Sequence, residues 1–255
     1  NILDKTPDTL AYIEKHKSKN LSVAATGNTF RTDAKGFLPS LMNKMYAERK
    51  EFKKKMIECQ KQKEKDPTNK DLDYQIAKFH NFQQVRKIQL NSAYGAIGNQ
   101  YFRYYSTELA ESITLSGQLS IRWIMTALND FLNKTLETTN YDYVVASDTD
   151  SVYLRLGNLV DRILPDCDDK DKITNFLDKS SKEIIIPFIK KKYDELSSLM
   201  NAYENKMVMD REVIADKGIW TAKKRYMLNV IDSEGVRYET PKMKIMGIET
   251  TRSST

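Results

Sequence analysis

Two aspartates one residue apart, Asp148 and Asp150, stand in the run VVASDTDSVYL (144–154). β-Branched and aromatic residues flank them, so DYVVAS and SVYLRL read as two strands with the aspartates at the hairpin tip. Carboxylates at such a tip either hold the turn through hydrogen bonds to its own backbone or hold a metal. A second group is Lys87, Asn91 and Tyr94 in KIQLNSAYG (87–95). Their i, i+4, i+7 spacing puts a cation, an amide and a phenol on one face of a helix. That face suits an apolar core poorly and a nucleotide well, with Lys for phosphate and Tyr for stacking or sugar contact. A solvent-facing polar stripe fits the spacing equally.

Bulk composition narrows the chemistry. The chain has 255 residues, 40% hydrophobic and 30% charged, which is globular and enough for one large or two small domains. A net charge of +6 and a pI of about 9.0 suit a polyanionic partner without proving one. The two histidines, His16 and His80, cannot build a His-rich metal site, and Cys59 and Cys167 lack metal-ligand spacing. Any metal must then be held by oxygen, which points to Mg²⁺ or Mn²⁺. Two distant cysteines and the lack of a signal-peptide pattern point to a reduced, intracellular, cytoplasmic setting. No apolar run approaches the roughly 18 residues of a membrane span, so no membrane partner is expected. Asn1 at the start and TTRSST at the end read as the borders of an excerpt from a longer protein.

The elements that must position these groups follow from pattern. Residues 1–20 are polar and helical around DTLAYIEKHKSK; LSVAATGNTFRT (21–32) makes two short strands about a turn at Thr26-Gly27-Asn28; DAKGFLPS (33–40) is a loop. A Lys/Arg/Glu-dense helix from Leu41 to about Lys65 is broken by Asp66-Pro67-Thr68-Asn69, and a second runs from Lys70 to Tyr94, ended by Gly95 and Gly98. Together they form an antiparallel helical hairpin. A third helix, 106–136, shows Ile113, Leu119, Ile124, Leu128, Phe131 and Leu132 as its core stripe. After the 144–154 hairpin comes a helix over 169–204, kinked at Pro187. From Lys206 the chain is strand-rich, with a turn at Asp232-Ser233-Glu234-Gly235. The fold class is α+β: an antiparallel sheet backed by helices, with a projecting two-helix hairpin.

KIQLNSAYG fits the K-x-x-x-N-S-x-Y-G pattern of family B DNA polymerases. SDTDS (147–151) resembles their D-T-D-S metal-binding hairpin, and KKRY (223–226) resembles their primer-contacting strand; the three occur in that order. NSAYGAIGNQYFRYY, MDREVIA, GIWTAKKRYMLNV, PKMKIMGIET and RSST look most like the replicative enzymes of T-even-type bacteriophages, so the likeness runs from about residue 22 to the end.

The resemblance implies a fragment of a DNA-directed DNA polymerase. Residues 38–95 would be the fingers, and 1–37 and 96–255 parts of the palm, with a metal-binding hairpin at about 142–155 and primer-contacting strands at about 206–250. Lys87 and Arg49 would contact the phosphates of an incoming dNTP, with Lys53, one turn beyond Arg49, a weaker candidate. Arg supplies a planar fork and Lys a point charge. Asn91 and Tyr94 would line the nucleotide pocket. Asp150 would ligate Mg²⁺ directly, with Asp148 beside it orienting the site; two ions are implied, with Mn²⁺ as a substitute. Glu212 would be an outlying carboxylate of the site or a member of a buried salt bridge. Lys223, Lys224, Arg225 and Tyr226 would follow the primer backbone of a primer-template DNA, positioning it without reading sequence.

Two departures stand out. The family's Tyr-Gly before D-T-D-S is Ala146-Ser147 here, and Ser in place of Gly at a tight hairpin alters backbone freedom. The family's other metal-binding carboxylate, in a D-x-x-S-L-Y-P-S strand, has no counterpart; Asp33 in DAKGFLPS lacks Ser-Leu-Tyr and lies too close to Arg49. The chain thus reads as half a metal site, inactive or barely active alone. Its partners would include the exonuclease, first palm segment and thumb, in cis or as a separate chain, with a sliding clamp as a further candidate. A non-catalytic nucleic-acid-binding or assembly module is the alternative, as is one chain of a split polymerase. A Mg²⁺-dependent nuclease is disfavoured, because it needs no triphosphate pocket.

Overall fold

The computed structural model describes residues 2–248 and is an α+β protein with exclusively antiparallel strand pairs among those residues. The chain divides into two compact units. One gathers the residues up to Ser40, Asn91–Cys167 and Lys182–Met209; the other gathers Leu41–Leu90, Asp168–Ser181 and the residues from Asp210 onward. No helix among the described residues is long and apolar enough to cross a membrane.

In the first unit, α1 (Pro7–Lys17) precedes a two-stranded hairpin, β1 (Leu21–Val23) and β2 (Thr29–Arg31). Its turn lies on α4 (Thr107–Thr135) through a polar ladder rather than an apolar one. Thr26 Oγ1 shares a hydrogen bond with Ser112 Oγ (2.9 Å), Asn28 Nδ2 donates to Ser112 Oγ (3.0 Å), and Ala25 N donates to Ser116 Oγ (3.2 Å). This corrects the stripe expected on α4. Ile113 is exposed, and Ser112 is buried beside it, because its small hydroxyl lets the Thr26 and Asn28 side chains of the turn come close; Ser120 is buried as well, its hydroxyl donating to Ser116 O within the helix. The remaining stripe is as expected: Leu119, Ile124, Leu128 and Leu132 are buried and Phe131 packs beside them.

The hairpin of β3 (Val144–Asp148) and β4 (Ser151–Leu154) and the helix α7 (Ile186–Leu199) complete this core. Ile124, Leu128, Val144, Ile185, Ile189 and Tyr193 form one cluster, and Leu132, Leu136 and Tyr143 another. A short helix, α5 (Gly157–Ile163), follows the hairpin and was not expected from the sequence. The helix expected over 169–204 is split. α6 (Lys170–Ser180) gives way to a π turn, Ser181–Ile185, before α7. Pro187 lies in the first turn of α7, and the π turn absorbs the backbone hydrogen bond that its ring cannot make.

In the second unit, α2 (Phe37–Lys65) and α3 (Lys70–Ile97) pair across Asp66–Asn69. Phe52 meets Phe82 (5.2 Å), Lys63 bonds Asp73 (2.7 Å), and Arg86 Nε donates to Glu48 (2.5 Å). α2 starts four residues earlier than expected and takes Pro39 into its first turn, where a missing N–H costs nothing. α3 runs past Gly95 to Ile97, so Gly98 alone follows its end. The sheet has the order β5-β6-β7: β5 (Val213–Ala222), β6 (Arg225–Ser233) and β7 (Val236–Met246). Residues 206–212, expected as strand, precede it in irregular structure. α6 lies against β5, and Lys170 Nζ donates to Asp216 (2.9 Å). The RSST run and the last residues of KMKIMGIE and PKMKIMGIET lie outside the described residues.

Candidate functional site

Asp148 closes β3, and Asp150 sits in the two-residue turn that leads to β4; Asp148 pairs with Ser151 across the strands. Thr149 carries the left-handed backbone of this turn (φ 54°), an uncommon state for a β-branched residue. Its hydroxyl donates to Asp148 Oδ1 (3.0 Å), Ser151 Oγ donates to Asp148 O (3.0 Å), and Asp150 N donates to the same carbonyl (2.6 Å). The turn is thus pinned around Asp148, half-buried, while Asp150 is exposed. Ser147 is not among the left-handed residues, so Ser in place of Gly imposes no backbone strain there; the demanding position is Thr149.

Two asparagines of α4 set where the hairpin begins. Asn129 Oδ1 accepts from the amides of Tyr143 and Val144, each at 3.0 Å, and its Nδ2 donates to Asp142 (3.1 Å). Asn133 Nδ2 donates to Tyr141 O (2.8 Å), and its Oδ1 accepts from Tyr141 N (2.9 Å). These residues were missed in the sequence, although two asparagines four apart beside an apolar helical stripe are a readable signal, since Asn favours backbone bonds over helix interiors.

Tyr193 of α7 lies beneath the hairpin. Burial pushes its phenol up to about 12, and the Asp150 charge adds to the rise. Nothing in the sequence pattern links residues 150 and 193.

Lys87 and Asn91 are exposed on α3, with Tyr94 further along the same face. Among the described residues Lys87 has no hydrogen-bonding or ion-pair partner. Tyr94 is anchored: its hydroxyl meets Thr114 Oγ1 at 2.6 Å, and because Thr114 donates to Ala110 O, Tyr94 donates to Thr114. On α2, Arg49 has its Nε buried with no hydrogen-bond partner among the described residues. Lys53, one turn on, is ion-paired to Glu234.

Lys223 and Lys224 form the exposed β5–β6 turn, with Lys224 left-handed (φ 62°) and Arg225 exposed beside them. Tyr226 differs from its neighbours: it is buried, its ring 6.3 Å from Trp220, so its side chain belongs to the sheet's packing. Glu212 is exposed. The buried ion pair of this run is made instead by Arg211, which bonds Asp178 and Asp232. Asp33 forms a two-point pair with Arg31 (2.9 and 2.5 Å), and that hydrogen bonding holds its carboxyl below the usual range. Among the described residues, no group of three or more His, Cys, Asp or Glu side chains is placed to hold a metal. Asp148 and Asp150 offer hard oxygen donors of the kind Mg²⁺ and Mn²⁺ take, enough for part of a six-ligand shell.

A model described as DNA polymerase family B matches residues 2–164. The chain is 43% identical over 182 residues to the DNA-directed DNA polymerase of Escherichia phage RB69, covering 67% of this chain and 20% of that protein. It is 42% identical over 179 residues to the DNA-directed DNA polymerase of Enterobacteria phage T4, with coverage of 67% and 20%. To DNA polymerase 1 of Pyrococcus abyssi it is 29% identical over 232 residues, 90% of this chain and 24% of that protein. The chain spans about a fifth to a quarter of the length of these curated relatives. The family match takes in both helices of the α2–α3 pair, α4 and the Asp148–Asp150 turn, and extends over more than half of the sequence: this chain belongs to DNA polymerase family B.

Proposed function

We propose that this chain carries the nucleotide-binding helices and the metal-binding hairpin of a template-directed DNA polymerase, which transfers a nucleotide from a dNTP to a primer 3′-hydroxyl. The observation that carries the reading is the exposed Lys87/Asn91/Tyr94 face of α3, whose cation has no partner of its own among the described residues. Residues 38–95 act as fingers, and 1–37 and 96–255 as palm. Lys87 binds triphosphate oxygens as a point charge, and Arg49, whose Nε is buried without a hydrogen-bond partner among the described residues, adds the planar end of its guanidinium from α2. Asn91 and Tyr94 contact the sugar and base. Because the Tyr94 hydroxyl gives its proton to Thr114, its ring face and the acceptor side of its oxygen are what remain for the nucleotide.

Asp150 is the exposed ligand for a divalent ion, and Asp148, fixed by the turn, is its neighbour. The ions, when bound, activate the 3′-hydroxyl and offset charge on the transferring phosphoryl group. Two-metal chemistry would need carboxylates on both sides of the ions, and this pair supplies one side, so the chain alone would be inactive or barely active and would act together with the remaining polymerase segments. Lys223, Lys224 and Arg225 hold the primer backbone, and Tyr226 supports their turn from within the sheet.

The test is titration of the chain with a dNTP in the presence and absence of Mg²⁺. Binding that requires Mg²⁺ and weakens roughly tenfold or more in Lys87→Ala, as loss of a charge-assisted contact demands, supports the reading. Binding of DNA with no response to nucleotide would favour a non-catalytic module.

A further inference from the structure

Lys53 does not wait for a ligand. Its ammonium is ion-paired to Glu234, and both side chains are partly buried. Glu234 is displayed by a rigid tip. Glu234 and Gly235 form a two-residue loop between the paired Ser233 and Val236, both left-handed (φ 53° and 82°), the geometry of a tight type I′ turn. The base of the tip is tied down. Gly235 N donates to Asp232 Oδ1 (2.9 Å), Glu234 N donates to Glu212 O (2.6 Å), and Asp232 is bonded in turn by Arg211 and Arg237.

α2 engages this tip in more than one place. Lys61 lies across Gly235, where an added Cβ would come within 2.9 Å of its Nζ. Further along the helix, Lys242 Nζ donates to Glu64 (3.1 Å). Lys53 shares a helix face with Arg49, four residues earlier, whose Nε is buried without a hydrogen-bond partner among the described residues. Two cations of one face therefore differ: one is held by a carboxylate, and the other has an unused donor.

We propose that Glu234 is a latch on the nucleotide-binding helix: its carboxylate occupies Lys53 in the free protein, and a triphosphate must displace it to recruit that lysine. The inference rests on the reading of α2 and α3 as nucleotide-binding. A single carboxylate in partial contact with water holds Lys53 weakly. A triphosphate carries several charges and brings them to Arg49 and Lys87 as well, so it wins the exchange. The latch lowers apparent affinity by the fraction of molecules in which Lys53 is free.

The experiment compares the whole chain with Glu234→Gln, a substitution at a half-buried turn that keeps the side-chain shape. Amine acylation, read residue by residue by mass spectrometry without nucleotide, reports whether Lys53 is held. Titration with Mg²⁺–dATP reports affinity. The expected result is that Glu234→Gln raises Lys53 acylation severalfold over the other lysines and tightens dATP binding about three- to fivefold, the scale of a partly exposed ion pair. In a Lys53→Ala background the same change has no effect on affinity. Unchanged Lys53 acylation overturns the latch; so does raised acylation with unchanged dATP affinity. If no form shows Lys87-dependent dATP binding, the nucleotide-binding reading itself fails and the latch falls with it, whatever acylation shows of the ion pair.

Discussion

Arg211 bonds the carboxylate of Asp232, a residue only 3% exposed, and also Asp178 at the end of α6. Through Asp232 it reaches the Gly235 amide, and Arg237 joins the same carboxylate while also bonding Asp171 (2.8 Å) and Asn175 (3.0 Å). One guanidinium thus ties α6, the start of β5 and the β6–β7 turn together. Removing it leaves the buried Asp232 carboxylate only part of its compensation, from Arg237 and the Gly235 amide, which is costlier than the pair's net worth. Arg211→Ala is expected to destabilise the unit by roughly 3–5 kcal/mol, and Arg211→Lys by less. Urea denaturation midpoints of the two variants check this; a midpoint for Arg211→Ala equal to wild type would dismiss the network as a stabilising element.

Asn129 substitutes for missing backbone partners at the entry to β3. In Asn129→Ala the amides of Tyr143 and Val144 lose their acceptor while remaining buried, at a cost of about 1–3 kcal/mol. Hydrogen exchange at these two amides should accelerate well before that of central α4. Equal protection in both proteins would mean that water or a shifted backbone replaces the side chain.

Restoring the family's glycine before the aspartates should not help. Ser147 occupies ordinary strand backbone and pairs with Val152, so Ser147→Gly relieves no strain and adds unfolded-state entropy. A loss of about 0.5–1 kcal/mol is expected from chemical denaturation. A gain would show that the turn at Thr149 propagates strain back to residue 147.

The Tyr193 phenol ionises near 12 because it is buried and because Asp150 repels the phenolate. The unfolded chain releases the same proton near pH 10, so below pH 10 both states keep it and stability is flat with respect to this group. Between about 10 and about 12 the unfolded state loses its proton first, and stability falls by up to roughly 2–3 kcal/mol. Ultraviolet titration in metal-free buffer should show a late-ionising tyrosine that disappears in Tyr193→Phe and shifts to lower pH in Asp150→Asn. An unchanged late phase in Asp150→Asn would separate the two residues electrostatically.

Mn²⁺ binding gives the direct test of the acidic turn. Electron paramagnetic resonance of free Mn²⁺ should show weak uptake by the chain, falling about tenfold or more in Asp150→Asn. A smaller fall is expected in Asp148→Asn, because that carboxylate also accepts from Thr149. Equal uptake by wild type and Asp150→Asn would assign the aspartates to turn formation alone.

Much of this molecule is legible from local pattern. Alternating β-branched residues around two aspartates predict the 144–154 hairpin, and Asp66-Pro67 predicts the break between two long helices, because both signals act within a few residues. Boundaries fared less well. Pro39 is harmless in a first turn, and Gly95 is tolerated within a helix whose end is set by Ser106 N donating to Ile97 O (3.0 Å). The burial of Ser112 in place of Ile113 was not legible, because it depends on a turn some eighty residues earlier in the chain.

The sequence by itself determined the family, the α+β class and the identity of the groups available for chemistry, since motif order and residue type are local properties. Tertiary structure decided which of those groups are engaged. Lys53 is paired with Glu234 while Lys87 has no partner among the described residues, Tyr226 is buried while Arg225 is exposed, and Arg211 rather than Glu212 carries the buried charge. The physical reason is that a side chain's role depends on desolvation and on partners far away in the chain, and neither is written in its neighbours.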